Sequence, residues 1–278
     1  MKQKSRTGIF SRVNFTILEL LIVIGIFMIL LSLLLPALKK AREKAHAARC
    51  LMNMKQLMLA QNSYAADNAD NMVHSVIYGT KYENYATLLT RSGSMSGQLS
   101  QGGGYITWKS IGCPSVTSDR TFLTPGGGYK NGNTALFSVY GTYIGYNSED
   151  LSKPGIVRQI KLLGDFVYAS SASSWATRTF VMGKMRQPSQ TAIAGDSASA
   201  HLSNAMFFNV QGCSFSTIGT AQSSYRMAIV RRHGNLANIG YADGHASPRS
   251  GDQLRRGAMP FTGGTYNRNL QLDHMETE

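Results

Sequence analysis

Between Phe15 and Leu38 lie 24 residues of which Glu19 alone is charged. At about 1.5 Å per residue, a helix of that length spans a hydrocarbon core of about 30 Å. Pro36 would kink such a helix, yet helical spacing resumes at once. Leu38, Ala41, Ala45, Ala48 and Met52 fall on one stripe, widened by Leu51 and Met58, while Lys40, Arg42, Lys44 and Lys55 take other faces. The pattern predicts one long helix over about residues 16–64, membranous in its first half (15–38) and amphipathic in its second (39–64). A plain signal anchor followed by a core helix explains the stripe equally well. A secretory signal peptide fits less well, because its apolar region is normally about 7–15 residues and carries no acid.

Beyond residue 64 the periodicity changes. Residues 65–278 are poor in charge and rich in Gly, Ser, Asn and Tyr, with short β-like runs such as Leu136–Ile144, Arg178–Val181 and Thr191–Ala194. Turn-rich punctuation of this kind predicts a loop-rich antiparallel sheet rather than repeated βαβ units. The fold class expected is therefore α+β: a long N-terminal helix packed on a β-rich head. Asp243-Gly244 lies between two β-like runs, which predicts a tight type I′ hairpin with positive φ at both positions. Gly102-Gly103-Gly104 and Gly126-Gly127-Gly128 read as surface loops, since no Gly-Lys-Ser/Thr follows either triplet.

Charge changes this picture little. The net charge is +13, but residues 1–62 hold ten basic residues against Glu19 and Glu43, a balance of +8. The excess flanks the apolar run, where it meets anionic lipid or sets topology, so no nucleic-acid partner is expected. Lys2, Lys4, Arg6 and Arg12 favour a cytoplasmic N-terminus; the basic residues after Leu38 oppose that, and charge alone leaves the topology open. A lone carboxylate inside the run is costly unless it has a partner. That makes Glu19 the first candidate functional residue.

Asn14-Phe15-Thr16-Ile17-Leu18-Glu19-Leu20 resembles the processing site of type IV prepilins and type II secretion pseudopilins. The resemblance implies a basic leader (1–14), a cut between Asn14 and Phe15, and N-methylation of Phe15 by a prepilin peptidase/methyltransferase. Glu19 becomes the fifth mature residue, neutralised by the α-amine of a neighbouring pilin-like subunit in an assembly. Where the family's leaders end in Gly, this one ends in Asn14. His233, separated by nine residues from Asp243-Gly244-His245, matches the H-X9-DG module at the C-terminus of many prepilin-like bacterial proteins. Cys50 with Asn53-Met54-Lys55-Gln56, Cys113-Pro114-Ser115, Tyr146-Asn147, and Pro188-Ser189 leading to Asp196 fit the same family.

The resemblance implies a single-pass protein of the bacterial inner membrane, with lipid and other subunits as partners and the head in the periplasm or at the cell surface. The rival expectation is an independently anchored surface protein whose head binds a ligand or catalyses a reaction. No Gly-x-Ser-x-Gly elbow or Ser/His/Asp order stands out, so no catalytic residue, cofactor or metal is assigned. His233, Asp243 and His245 have the chemistry of a metal or acid–base site if a hairpin gathers them. The plainer expectation is that Asp243 serves the turn and the histidines bond nearby backbone. Asp67, Asn68, Asp70 and Asn71 likewise read as a polar helix end rather than a calcium loop, lacking the glycine and terminal glutamate of an EF-hand. Cys50, Cys113 and Cys213 cannot all pair, and no Cys-x-x-Cys or Cys/His spacing suggests zinc. A Cys50–Cys113 bridge would fasten the helix to the head; Cys113–Cys213 competes with it, and Cys50 as a simple buried residue remains open.

Overall fold

The computed structural model describes residues 16–78, 81–90, 103–107, 110–115, 140–143, 150–152, 154–169, 177–201, 214–215, 225–259, 265–266 and 272–273. Helix α1 runs without a break over Ile17–Asp67, with Pro36 inside it. Every residue from 16 to 45 is exposed, including the whole apolar run. It is the one helix among the described residues long and apolar enough to cross a membrane. The chain divides into two compact units, residues 1–45 and 46–278.

In the second unit the remainder of α1 is core. Its buried residues are Cys50, Met54, Leu57, Met58, Ala60, Gln61 and Ala65. That face corrects the sequence-derived stripe, because Ala48 and Met52 point outward and Met52 is 57 % exposed. An Ala/Met-rich segment is apolar on more than one face, so apolarity alone does not phase it. The phase is chosen by Cys50 and by Gln61, which an apolar count passes over. The Gln61 amide donates to Val73 O at 2.8 Å and accepts from Val73 N–H at 3.0 Å, pairing with a strand as another strand would. The helix ends in a polar turn. Ala69 and Asp70 take φ of 52° and 60°, and Asp70 N–H caps Ala65 O at 2.9 Å.

The strands and short helices that follow are β1 (Asn71–Tyr78), β2 (Lys81–Asn84), α2 (Tyr85–Thr90), β3 (Gly141–Tyr143), α3 (Pro154–Leu163), β4 (Val167–Ala169) and β5 (Arg178–Val181). Then come β6 (Ala192–Gly195), β7 (Ser197–His201), β8 (Ser214–Phe215), β9 (Tyr225–Val230), β10 (Ala237–Tyr241), β11 (Ala246–Arg249), α4 (Gly251–Arg256), β12 (Thr265–Tyr266) and β13 (Leu272–Asp273). They form three sheets, ordered β2-β1-β5-β4, β11-β10-β6-β3-β8 and β13-β12-β9-β7. The layout is α+β, as expected. Pairing is mostly antiparallel, but β3–β8 and β9–β12 are parallel. Both parallel pairs join strands far apart in sequence, which is what parallel pairing requires.

Helix α1 lies directly on the second sheet at Gly240. A Cβ there would meet Met58 Cγ at 2.5 Å and Met54 Cγ at 3.3 Å, so only glycine admits the helix this closely. Behind it Tyr143, Phe166 and Phe180 form a fully buried aromatic cluster with centroids 6.1–6.4 Å apart. His74, at the bulge that shifts the β1–β5 register, packs against Phe180 and bonds Thr142 Oγ1 through Nδ1 at 2.6 Å. Burial, with the Arg178 charge beside it, pushes the His74 imidazole down to about 3. At neutral pH it is an uncharged core residue.

Candidate functional site

Two corners of the sheets meet where the chain changes layer. At Asp196 the chain leaves β6 in the second sheet and enters β7 in the third. Between β9 and β10 it returns through His233-Gly234-Asn235-Leu236. There His233 and Leu236 exchange backbone bonds at 3.1 Å, and Gly234 and Asn235 have φ of 60° and 67°. Positive φ at both central residues of a two-residue loop is the signature of a type I′ turn. It fixes the backbone from which His233 projects.

Asp196 is held from several sides. Its backbone N–H donates to Asn238 O at 3.0 Å and its carbonyl accepts from Val230 N–H at 2.8 Å. Asn238 N–H donates to Oδ2 at 2.9 Å. The carboxylate is fully buried, and Oδ1 has no hydrogen-bond partner. Burial pushes its pKa up to about 6, against the Asn238 N–H and the Arg232 charge, which pull it down. Arg232, half-buried and bonded to Ser197 O at 3.1 Å, supplies the countercharge.

His233 Nε2 lies 3.8 Å from Asp196 Oδ2 and 3.4 Å from Cys113 Sγ, with its side chain 6 % exposed. Burial, then the charges of Arg232 and His46, push the imidazole down to about 4. The His233–Asp196 contact at neutral pH is thus imidazole against carboxylate, not an ion pair. Cys113 is joined to Cys50 of α1 by a disulfide with Cα atoms 5.2 Å apart. The loop carrying Cys113 is tied to the helix again where Asn53 Nδ2 donates to Gly112 O at 3.2 Å. Tyr140 O–H reaches Cys50 O at 3.1 Å. Cys213, the competing partner, lies outside the described residues.

One donor atom each from Cys50, Cys113, Asp196 and His233 falls within 4.8 Å of the others. The structure therefore gathers a different set from the trio His233, Asp243 and His245. Asp243 Oδ1 instead meets its own neighbour, His245 Nδ1 at 2.5 Å and His245 N–H at 3.1 Å, and the His245 ring stacks on Tyr241 at 4.4 Å. The turn type at Asp243-Gly244 is also corrected. Only Gly244 has positive φ (94°), Gly244 N–H bonds Tyr241 O, and Tyr241 N–H bonds His245 O. That is a three-residue loop, a turn followed by a left-handed glycine at a bulge, and the type I′ turn lies nine residues earlier, at Gly234-Asn235. Gly244→Val remains damaging: the φ is unfavourable and a Cβ would lie 3.0 Å from Asn62 Nδ2. A loss of about 1–2 kcal/mol is expected in chemical denaturation, whereas His245→Ala should change stability by less than about 0.5 kcal/mol.

Asn14 and Phe15 lie outside the described residues. Glu19 stands in the first turn of α1, where Oε2 accepts from Thr16 N–H at 2.9 Å and Thr16 Oγ1 at 2.8 Å, while Thr16 Oγ1 accepts from Glu19 N–H at 3.2 Å. The pair is a reciprocal capping box. No protein-family model, curated protein or solved structure matches the chain.

Proposed function

We propose that the chain is a pilin-like or pseudopilin-like structural protein of a type II secretion or type IV pilus-like assembly. A prepilin peptidase cuts before Phe15 and methylates the new amine. The apolar half of α1 anchors the protein in the bacterial inner membrane, and the head stands outside the cytoplasm. The reading rests chiefly on one observation: an uninterrupted helix whose exposed apolar half carries a single acid and whose other half is built into a β-rich head. Such a helix offers an apolar surface for lateral packing within the membrane. Its role is assembly, with Glu19 setting register and no chemistry of its own.

One observation favours the second reading, an independently anchored surface protein with a ligand-binding or enzymatic head. The Glu19 carboxylate is already satisfied within its own helix turn by Thr16. Glu19→Gln separates the two, because glutamine at this position retains the capping box but not the charge. On the assembly reading, the variant stays in the membrane fraction while its cross-linked oligomers disappear. Oligomers at the wild-type level would leave only the anchored-protein reading.

A further inference from the structure

We infer that Cys50, Cys113, Asp196 and His233 form a binding site for a thiophilic divalent cation, zinc by their donor types, whenever the Cys50–Cys113 disulfide is opened. Two sulfurs, an imidazole nitrogen and a carboxylate oxygen are a tetrahedral zinc set. Bonds of about 2.0–2.3 Å place tetrahedral ligands roughly 3.3–3.8 Å apart. His233 Nε2 already stands 3.4 Å from Cys113 Sγ and 3.8 Å from Asp196 Oδ2. All four donor atoms already lie within 4.8 Å of one another, and the two sulfurs must part from a shared bond to that tetrahedral separation.

The surroundings are unusual for a disulfide and suited to a cation. A fully buried carboxylate with an unpartnered oxygen is costly beside two sulfurs that carry no charge. A cation held beside Oδ2 would offset that buried charge. Asn238 N–H donates to Oδ2, the same oxygen that lies 3.8 Å from His233, and so holds that oxygen in place. Charge closes in both states. Asp196 and Arg232 balance in the disulfide form, and two thiolates plus Asp196 balance Zn2+ plus Arg232 in the loaded form. Each ligand comes from a different element (α1, the 110–115 loop, the β6–β7 corner and the β9–β10 turn), so no local spacing announces the set.

Interconversion balances as follows. An external dithiol passes two electrons and two protons to the protein disulfide and leaves as its own disulfide. Zn2+ then displaces the two thiol protons to solvent, and both sulfurs bind as thiolates. In reverse, an external disulfide accepts two electrons, takes two protons from solvent, and the cation departs as Cys50 and Cys113 rejoin. The cluster thus couples redox poise to cation release.

The test uses the full chain in detergent, metal-free, anaerobic and reduced by a phosphine, titrated with Co2+. The expected result is one equivalent bound, with sulfur-to-cobalt charge transfer in the near ultraviolet and tetrahedral bands in the visible, both displaced by Zn2+. The oxidised chain should show neither. His233→Ala, Asp196→Asn and Cys113→Ser should each lose the tetrahedral bands, and Cys213→Ser should keep them. Absence of the bands in a reduced chain with native circular dichroism would overturn the inference, as would their persistence in His233→Ala or their loss in Cys213→Ser. If reduction unfolds the chain, Zn2+ should restore native dichroism, and failure to do so is equally contradictory.

Discussion

Cys113→Ser should lower the stability of the head by about 4 kcal/mol in metal-free, non-reducing buffer. The bridge closes a loop with a sequence separation of 63 residues, and the chain entropy it removes from the unfolded state sets that magnitude. The loss should be concentrated on the attachment of the helix. Cys50 lies at the N-terminal end of the buried stripe on α1, so without the bridge that end relies more on Asn53, Tyr140 and the packed face from Met54 onward. Denaturant melts of the full chain in detergent provide the measurement. Reductant should destabilise the wild type to the level of the variant and leave the variant unchanged. A difference below about 1 kcal/mol would mean that the bridge adds nothing to a helix already fixed by its core.

Acid should weaken the head next most strongly, and His74 should be the cause. Its folded value of about 3 lies below the ordinary 6.5, so the unfolded chain binds the extra proton first. Stability from this group is complete above 6.5 and falls as pH drops toward 3, by about 2 kcal/mol at pH 5. His233, depressed to about 4, acts with the same sign. Asp196 acts with the opposite sign: its value is raised, so its ionised form penalises the fold at neutral pH and protonation near 6 relieves the penalty. These two largely offset each other through the window from 6 to 4, leaving His74 to set the slope. His74→Asn, which keeps a polar atom toward Thr142 without a titrating ring, should shrink the melting-temperature difference between pH 7 and pH 5 by at least half. An unchanged difference would place the acid sensitivity elsewhere.

What the residue pattern made legible follows from the physics of each element. The expected helix over 16–64 and the observed Ile17–Asp67 agree because apolar run length and helical spacing are local properties. The Arg178–Val181 run is a strand with those bounds, and Thr191–Ala194 is displaced by one residue. The buried face of α1 was not legible, since Gln61 and Cys50 are chosen by partners 12 and 63 residues away. The turn type at Asp243-Gly244 differs for a related reason. Asp-Gly and Gly-Asn both suit tight turns, and the strand register decides which becomes type I′. The cluster around Asp196 was least visible of all, being four single residues from a helix, a loop and two sheet corners brought together by the fold. The notable signal was His233 at a fixed distance from Asp243-Gly244. It marked the histidine that sits in this cluster, while the cluster's other members, Cys50, Cys113 and Asp196, lie outside that module.

The assembly account stands or falls on the mature N-terminus, so the most direct measurement is intact-mass and N-terminal peptide mass spectrometry of the protein from its native membrane. On the proposed reading, Asn14 stands where the leaders of type IV prepilins have glycine, and cleavage there would free the amine proposed to neutralise Glu19. The account predicts a chain beginning at Phe15 with one methyl group on its α-amine. A native population beginning uniformly at Met1, or a cut at any other residue, would contradict it.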